Sequence, residues 1–236
     1  MLKHISIGLV SAWAVLAVGC DSTGGKNVEI KVDPIPIPDS QKKFEDNTTK
    51  EAYLEAVKKA RSEGHDCGHY KKDKNGNEIK DKDGNHITIH EGLDEDFRPA
   101  IKDDPLKWNE KLYKAAYEHN VDMSKSGKIS HTGSGSESDH TAKINHPGRG
   151  STYKERVLGN GYKYSLLKEN LTVGTNIDSA KKAVEMWLNS AGHCKNLMDA
   201  NVTDMGMSHV YEENSTYKNF WTQDLAKPGA KEKGIF

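Results

Sequence analysis

The chain of 236 residues has little cysteine, three residues, and little proline, seven. Three cysteines exclude a disulfide-dense scaffold. Arginine is scarce too: Arg61, Arg98, Arg149 and Arg156 are the whole supply among 34 basic residues. Repeated bidentate phosphate recognition needs more guanidinium forks than that. No sign of charge prevails, since 35 acidic residues offset the basic ones and leave a net charge of −1. A balanced chain creates no field that gathers a polyanion, so no nucleic-acid partner is expected. Hydrophobic residues make up 34 % and the mean hydropathy is −0.81, which excludes a multi-span membrane protein. Hydrolase signatures are missing as well. Gly133-Ser134-Gly135-Ser136 has the wrong spacing for a nucleophile elbow, and His90-Glu91 runs into Gly92, Leu93 and Asp94, not a second histidine.

What is present begins with an address. Lys3 and His4 precede an uncharged, mostly apolar run from Ile5 to Leu16. It is too short to span a bilayer and suits the core of a signal peptide over residues 1–19. Leu16-Ala17-Val18-Gly19-Cys20 then resembles a lipobox. Lipidation of Cys20 makes it the mature N-terminus and holds an exported protein on the membrane surface of a bacterial envelope. An ordinary signal peptide with a bystander cysteine is the alternative. Residues 20–47 read as the lipidated end and a tether, because Pro34, Pro36 and Pro38 alternate with Ile35 and Ile37 and favour an extended backbone. Val28 to Val32 reads alternatively as an edge strand.

Residues 48–228 carry helix and strand patterns in no regular β-α-β rhythm, which predicts an α+β layered domain; residues 229–236 form a tail. Thr48-Thr49-Lys50-Glu51 predicts a capping box opening a helix that Gly64 ends. A strong helix is expected from Lys107 to Ser126, stopped by Gly127, and shorter ones over Thr152 to Leu158 and Ser179 to Asn189. Met205 to Tyr211 and Tyr217 to Leu225 predict a hairpin. Within an insertion of about residues 70–96, Asn75-Gly76 and Asp83-Gly84 predict two hairpin tips with type I′ turns. A calcium loop fails on spacing, since His86 and Gly92 fall where Gly and Glu are required.

Cys67 and Cys194 remain once Cys20 is lipidated. An even pair in an exported chain reads as a disulfide. The rival is a zinc-thiolate site, with His65, Cys67 and His69 on one face of a strand opposite His193-Cys194.

Five segments in order carry a family pattern: Leu106 to Met123, Ile129-Ser130-His131-Thr132-Gly133, Gly161-Tyr162 with Glu169-Asn170-Leu171, Ala183 to Met198, and Phe220-Trp221-Thr222-Gln223-Asp224. Together they resemble the CAP superfamily of cysteine-rich secretory, antigen 5 and pathogenesis-related proteins, in its bacterial secreted or lipoprotein branch. The resemblance implies a three-layer α-β-α sandwich with the hairpin region inserted. It also implies a cleft holding His131, Glu169 and His193, which in some members binds a divalent metal such as zinc, and a bridge between Cys67 and Cys194. A second cleft glutamate of eukaryotic members falls on Ser190 here. Glu185, about 140° around the helix from that position, does not replace it.

Three functions follow. The first is a membrane-anchored module binding a small-molecule, lipid or protein ligand without turnover. The second is a metal-dependent hydrolase acting on envelope or host material through the two histidines and Glu169. The third is a structural envelope component whose lysine-rich hairpins touch a partner. His119, Trp108, Trp187 and Trp221 are expected in the core.

Overall fold

The computed structural model describes residues 49–229. The expected signal peptide, Cys20, the tether and residues 230–236 lie outside the described residues. Helix α1, Lys50–Arg61, is capped by Thr49, whose side chain accepts the Ala52 N–H at 3.2 Å. The expected box fails here because the cap sits on Thr49, which puts Ala52 where Glu51 was needed to return a bond. The helix also stops at Arg61 rather than Gly64, with Ser62 capping it.

Four short strands follow: β1 His65–Asp66, β2 His69–Tyr70, β3 Thr88–Ile89 and β4 Phe97–Arg98, paired β1 with β4 and β2 with β3. The loops between β2 and β3 are not the expected two-residue turns. Asp73 N–H donates to Asn77 O at 2.8 Å and Gly76 N–H to Asp73 O at 3.0 Å; Asp81, Asn85 and Gly84 repeat the pattern. A type I′ turn needs positive φ at both central residues, yet only the glycines have it, 86° at Gly76 and Gly84, while Asn75 and Asp83 do not. These are three-residue loops, a type I turn closed by a left-handed glycine. The Asp73 and Asp81 carboxylates fix them by accepting backbone N–H groups two and four residues on. Between the loops, Ile79 N–H donates to Lys71 O, Ile87 N–H to Ile79 O, and Lys71 N–H to Ile87 O. The bonds close a ring that folds the polar excursion onto itself.

The main sheet combines β5 Lys107–Trp108, β6 Tyr164–Gly174, β7 Asp204–Tyr211 and β8 Asn219–Pro228 in the order β5-β7-β8-β6. Helix α2, Glu110–Ser126, starts three residues later than expected. Lys107 and Trp108 pair in parallel with β7, and the Asn109 side chain caps the helix. Helices α3 His140–Asn145 and α4 Tyr153–Gly159 lie beside α2, whereas α5 Ala180–Leu188 and α6 Ala191–Leu197 lie across the sheet with α1.

Alternation along the strands splits the core. Met205, Met207, Trp221 and Leu225 join Tyr53, Val57 and Trp187. Facing the other way, Ala226 joins Leu112 and Val157, and Val210 and Phe220 join Tyr117 and Met123. The architecture is the expected three-layer α-β-α sandwich. Gly206 is where α2 touches the sheet: a Cβ there would lie 2.0 Å from the Tyr113 nitrogen. Trp187, Trp221 and His119 are buried as expected; Trp108 is half-buried against the first core.

Candidate functional site

His131 stands in the loop after α2, and its backbone is held on both sides. His119 Nε2–H donates to Ser130 O at 2.8 Å, and Arg156 Nη2–H donates to His131 O at 3.1 Å. Burial lowers the His119 pKa to about 3, so its ring is neutral and the tautomer follows from the carbonyl it serves. Arg156 comes from α4, whose first turn is fixed by a reciprocal box between Thr152 and Glu155. Its guanidinium also donates to Ser151 O at 3.0 Å and to Glu169 Oε2 at 2.7 Å. The other Glu169 oxygen, Oε1, accepts Nδ1–H of His131 at 2.8 Å. Burial pushes the Glu169 carboxyl up, but the Arg156 guanidinium and the hydrogen bond from His131 outweigh it and hold the group well below its ordinary value.

His193 reaches the same place from the opposite layer. Asn170 Nδ2–H donates to His193 O at 3.2 Å and to Gln223 Oε1 at 3.2 Å, while Asn196 Nδ2–H donates to Asn170 Oδ1 at 3.0 Å. Successive strand residues point to opposite faces. Strand β6, at the sheet edge, therefore supports His131 through Glu169 on one face and His193 through Asn170 on the other. The two rings lie with centroids 6.3 Å apart and planes at 51°. Burial, then the adjacent His131, lowers the His193 pKa to about 4. That imidazole is neutral at physiological pH.

Three features were not read from the sequence. Arg156 is one of them. A second is Asp224, directly opposite Glu169 in the β6–β8 register and 1 % exposed, with neither carboxyl oxygen hydrogen-bonded among the described residues. Burial, then Glu169, raises its pKa well above the ordinary value. The third is Glu118 on α2, pushed up to about 7 by burial while Thr141 Oγ1–H donates to it at 2.6 Å. Of three buried carboxyls around one guanidinium, Glu169 is the one held ionised.

Ser190 stands at the N-cap position of α6 with no side-chain cap bond, its hydroxyl 3.3 Å from the Tyr70 hydroxyl. Glu185 faces solvent beside Lys181. The disulfide joins Cys67 to Cys194, 127 residues apart in sequence and 5.3 Å between Cα atoms. The rival zinc-thiolate reading falls with it. His65 Nε2–H serves Ala60 O, and His69 Nδ1–H serves Asp96.

Glu169 does not fit as a metal ligand, because its side chain is only 1 % exposed and is held by Arg156 and His131. Among the described residues no three His, Cys, Asp or Glu side chains come together to hold an ion. A three-ligand zinc centre therefore does not fit. The donor set suits a two-nitrogen site completed by water, with Glu169 orienting His131 as outer-shell carboxylates do.

A model of the cysteine-rich secretory protein family, CAP, matches residues 95–225, more than half of the chain. The chain belongs to this family. No curated protein matches it. Among solved structures, an extracellular protein containing a SCP domain from Bacillus anthracis str. Ames is 24 % identical with a TM-score of 0.39. That match covers 52 % of this chain and 33 % of the Bacillus protein, so the chain spans about a third of that relative's length. An outer surface protein from Borrelia burgdorferi is 18 % identical with a TM-score of 0.41, covering 52 % of this chain and 78 % of that one. In this CAP chain the matched segment contains His131, Glu169 and His193, whereas Cys67 precedes it. The disulfide thus ties the chain ahead of the matched segment onto the family domain. Among the described residues no helix is long and apolar enough to cross a membrane.

Proposed function

We propose that this CAP protein is exported, tethered to the envelope membrane through lipidated Cys20, and acts as a binding module without turnover. Its His131–His193 cleft receives the ligand. The observation that carries this reading is the state of Glu169. With one oxygen on His131 and the other on Arg156, and a side chain only 1 % exposed, the carboxylate is a strut buried behind the His131 ring. General base catalysis needs a group within hydrogen-bond reach of the proton it takes, and this one is buried away from the cleft opening. The small-molecule, lipid or protein nature of the ligand follows from the family resemblance alone.

A second reading is favoured by the facing His131 and His193 imidazoles. His131 donates Nδ1–H to Glu169 and keeps Nε2 free of hydrogen bonds among the described residues. The two rings would hold a divalent cation reversibly, as a Lewis acid whose other positions are water. The hydrolase alternative requires that ion to support turnover.

One experiment separates these. The purified chain is titrated with zinc in a calorimeter, then incubated with zinc and fluorescein-labelled envelope polymer. Weak zinc uptake that His131→Ala with His193→Ala abolishes, and no histidine-dependent release of labelled fragments, are expected. Release that the double variant abolishes would overturn the non-catalytic reading. Zinc uptake unchanged in that variant would remove the metal from this cleft.

A further inference from the structure

Three of the four arginines already hold a carboxylate. Arg61 grips Asp104 through Nε and Nη2 at 2.7 and 2.9 Å, Arg149 pairs with Glu155, and Arg156 pairs with Glu169. Arg98 differs. Its Nη1 donates to the backbone oxygens of Glu95 at 2.9 Å and Phe97 at 3.1 Å, and among the described residues no carboxylate pairs with it. Those carbonyl contacts fix the guanidinium at the end of β4 and leave the rest of its fork for another partner.

Arg98 lines a pocket of about 480 Å³ with Lys168, Lys195, Asp199, Ile101 and Met198. The volume falls within the usual range of small-ligand sites, about 300–1,000 Å³. Three cations face one lining carboxylate. Lys168 is spoken for by Asp199 at 3.1 Å, and Lys195 by Asp96 at 2.9 Å. The uncompensated positive charge therefore belongs to Arg98, beside an apolar wall. None of His131, Glu169 and His193 lines this pocket.

We propose that the pocket is a second binding site, for an acidic peptide segment in which a glutamate or aspartate adjoins a branched aliphatic residue. The carboxylate meets the Arg98 fork, the geometry that guanidinium groups match best. The aliphatic neighbour lies on Ile101 and Met198. Adjacent side chains of an extended peptide supply both groups at once. The site is independent of the cleft proposed above.

The test titrates the full chain into fluorescein-labelled Ala-Ile-Glu-Ile-Ala and, in parallel, into its Ala-Ile-Gln-Ile-Ala counterpart, followed by fluorescence anisotropy. Saturable binding is expected for the acidic peptide, weakened about tenfold or more in the neutral one, since a charged hydrogen-bond pair is lost. Arg98→Gln should bring the acidic peptide down to the same level at an unchanged thermal midpoint, whereas His131→Ala with His193→Ala should stay within about twofold of the parent. Equal affinity for both peptides, or no saturation at millimolar peptide, overturns the site. So does a folded Arg98→Gln variant that binds as the parent does. Binding to anionic phosphatidylglycerol vesicles in place of the peptide would assign Arg98 to a membrane surface and overturn the peptide reading. The two-peptide comparison uses the unaltered protein, so it decides even if the variant fails to fold.

Discussion

At the scale of single residues, Arg156 organises the cleft. It is 2 % exposed, it neutralises Glu169, and it holds the His131 carbonyl. Removing one partner of a buried pair leaves an uncompensated charge, which is worse than losing the pair. Arg156→Met should therefore destabilise the fold by about 3–5 kcal/mol in denaturant titration. Adding Glu169→Gln should restore part of the loss, because the remaining amide carries no charge. Additive losses in the double variant would mean that the two residues do not act through each other. His131 and His193 were legible through the order of their motifs, whereas Arg156 was not, although the sequence held a signal. A short helix with a Thr-x-x-Glu start and one arginine near a histidine loop places that arginine inward only when a carboxylate waits for it. The waiting Glu169 is supplied by another element, 13 residues further on.

At the scale of elements, legibility followed local self-sufficiency. Helix α2 could be read because Leu112, Ala115, Ala116 and Met123 form its buried stripe and Gly127 closes it. Strand β6 could not. Its middle, Lys168-Glu169-Asn170, looks like a polar surface, yet Glu169 and Asn170 are buried because Arg156, Gln223 and Asn196 satisfy them. Helix α6 also lacks a sequence signal, and its own Ser190 makes no side-chain cap bond. Caps come from the excursion: Thr88 Oγ1 accepts Ala191 N–H at 3.2 Å and the Tyr70 hydroxyl accepts Gly192 N–H at 2.9 Å. The disulfide anchors the same helix one turn further. These contacts hold the element that carries His193. Tyr70→Phe with Thr88→Val should destabilise by about 1–2 kcal/mol, the usual worth of lost caps, and hydrogen exchange should speed at Ala191 and Gly192 first. Cys67→Ser with Cys194→Ser should cost about 2–5 kcal/mol. Exchange unchanged at the start of α6 in the Tyr70–Thr88 variant would mean that the helix stands without the excursion.

At the scale of the whole molecule, two opposed sets of buried groups govern the response to pH. His119, His193 and His209 are lowered to about 3, 4 and 4, each chiefly by burial. Between pH 5 and 6.5 they are neutral when folded and increasingly protonated when unfolded, so they make stability rise with pH. Glu118, raised to about 7, and Asp224, raised well above its ordinary value, do the reverse. They keep their protons when folded and lose them when unfolded, so their stabilisation fades as pH rises through this window. Three groups oppose two, and the native protein should gain stability only gently from pH 5 to 6.5. Replacing Glu118→Gln and Asp224→Asn removes the opposing pair while keeping shape and, at Glu118, the oxygen that Thr141 serves. Urea titrations across this window should then find a slope several times steeper, approaching about 1.4 kcal/mol per pH unit for each histidine. A variant whose slope matches that of the parent would mean that Glu118 and Asp224 are ionised in the fold, with Arg156 shared among all three carboxylates.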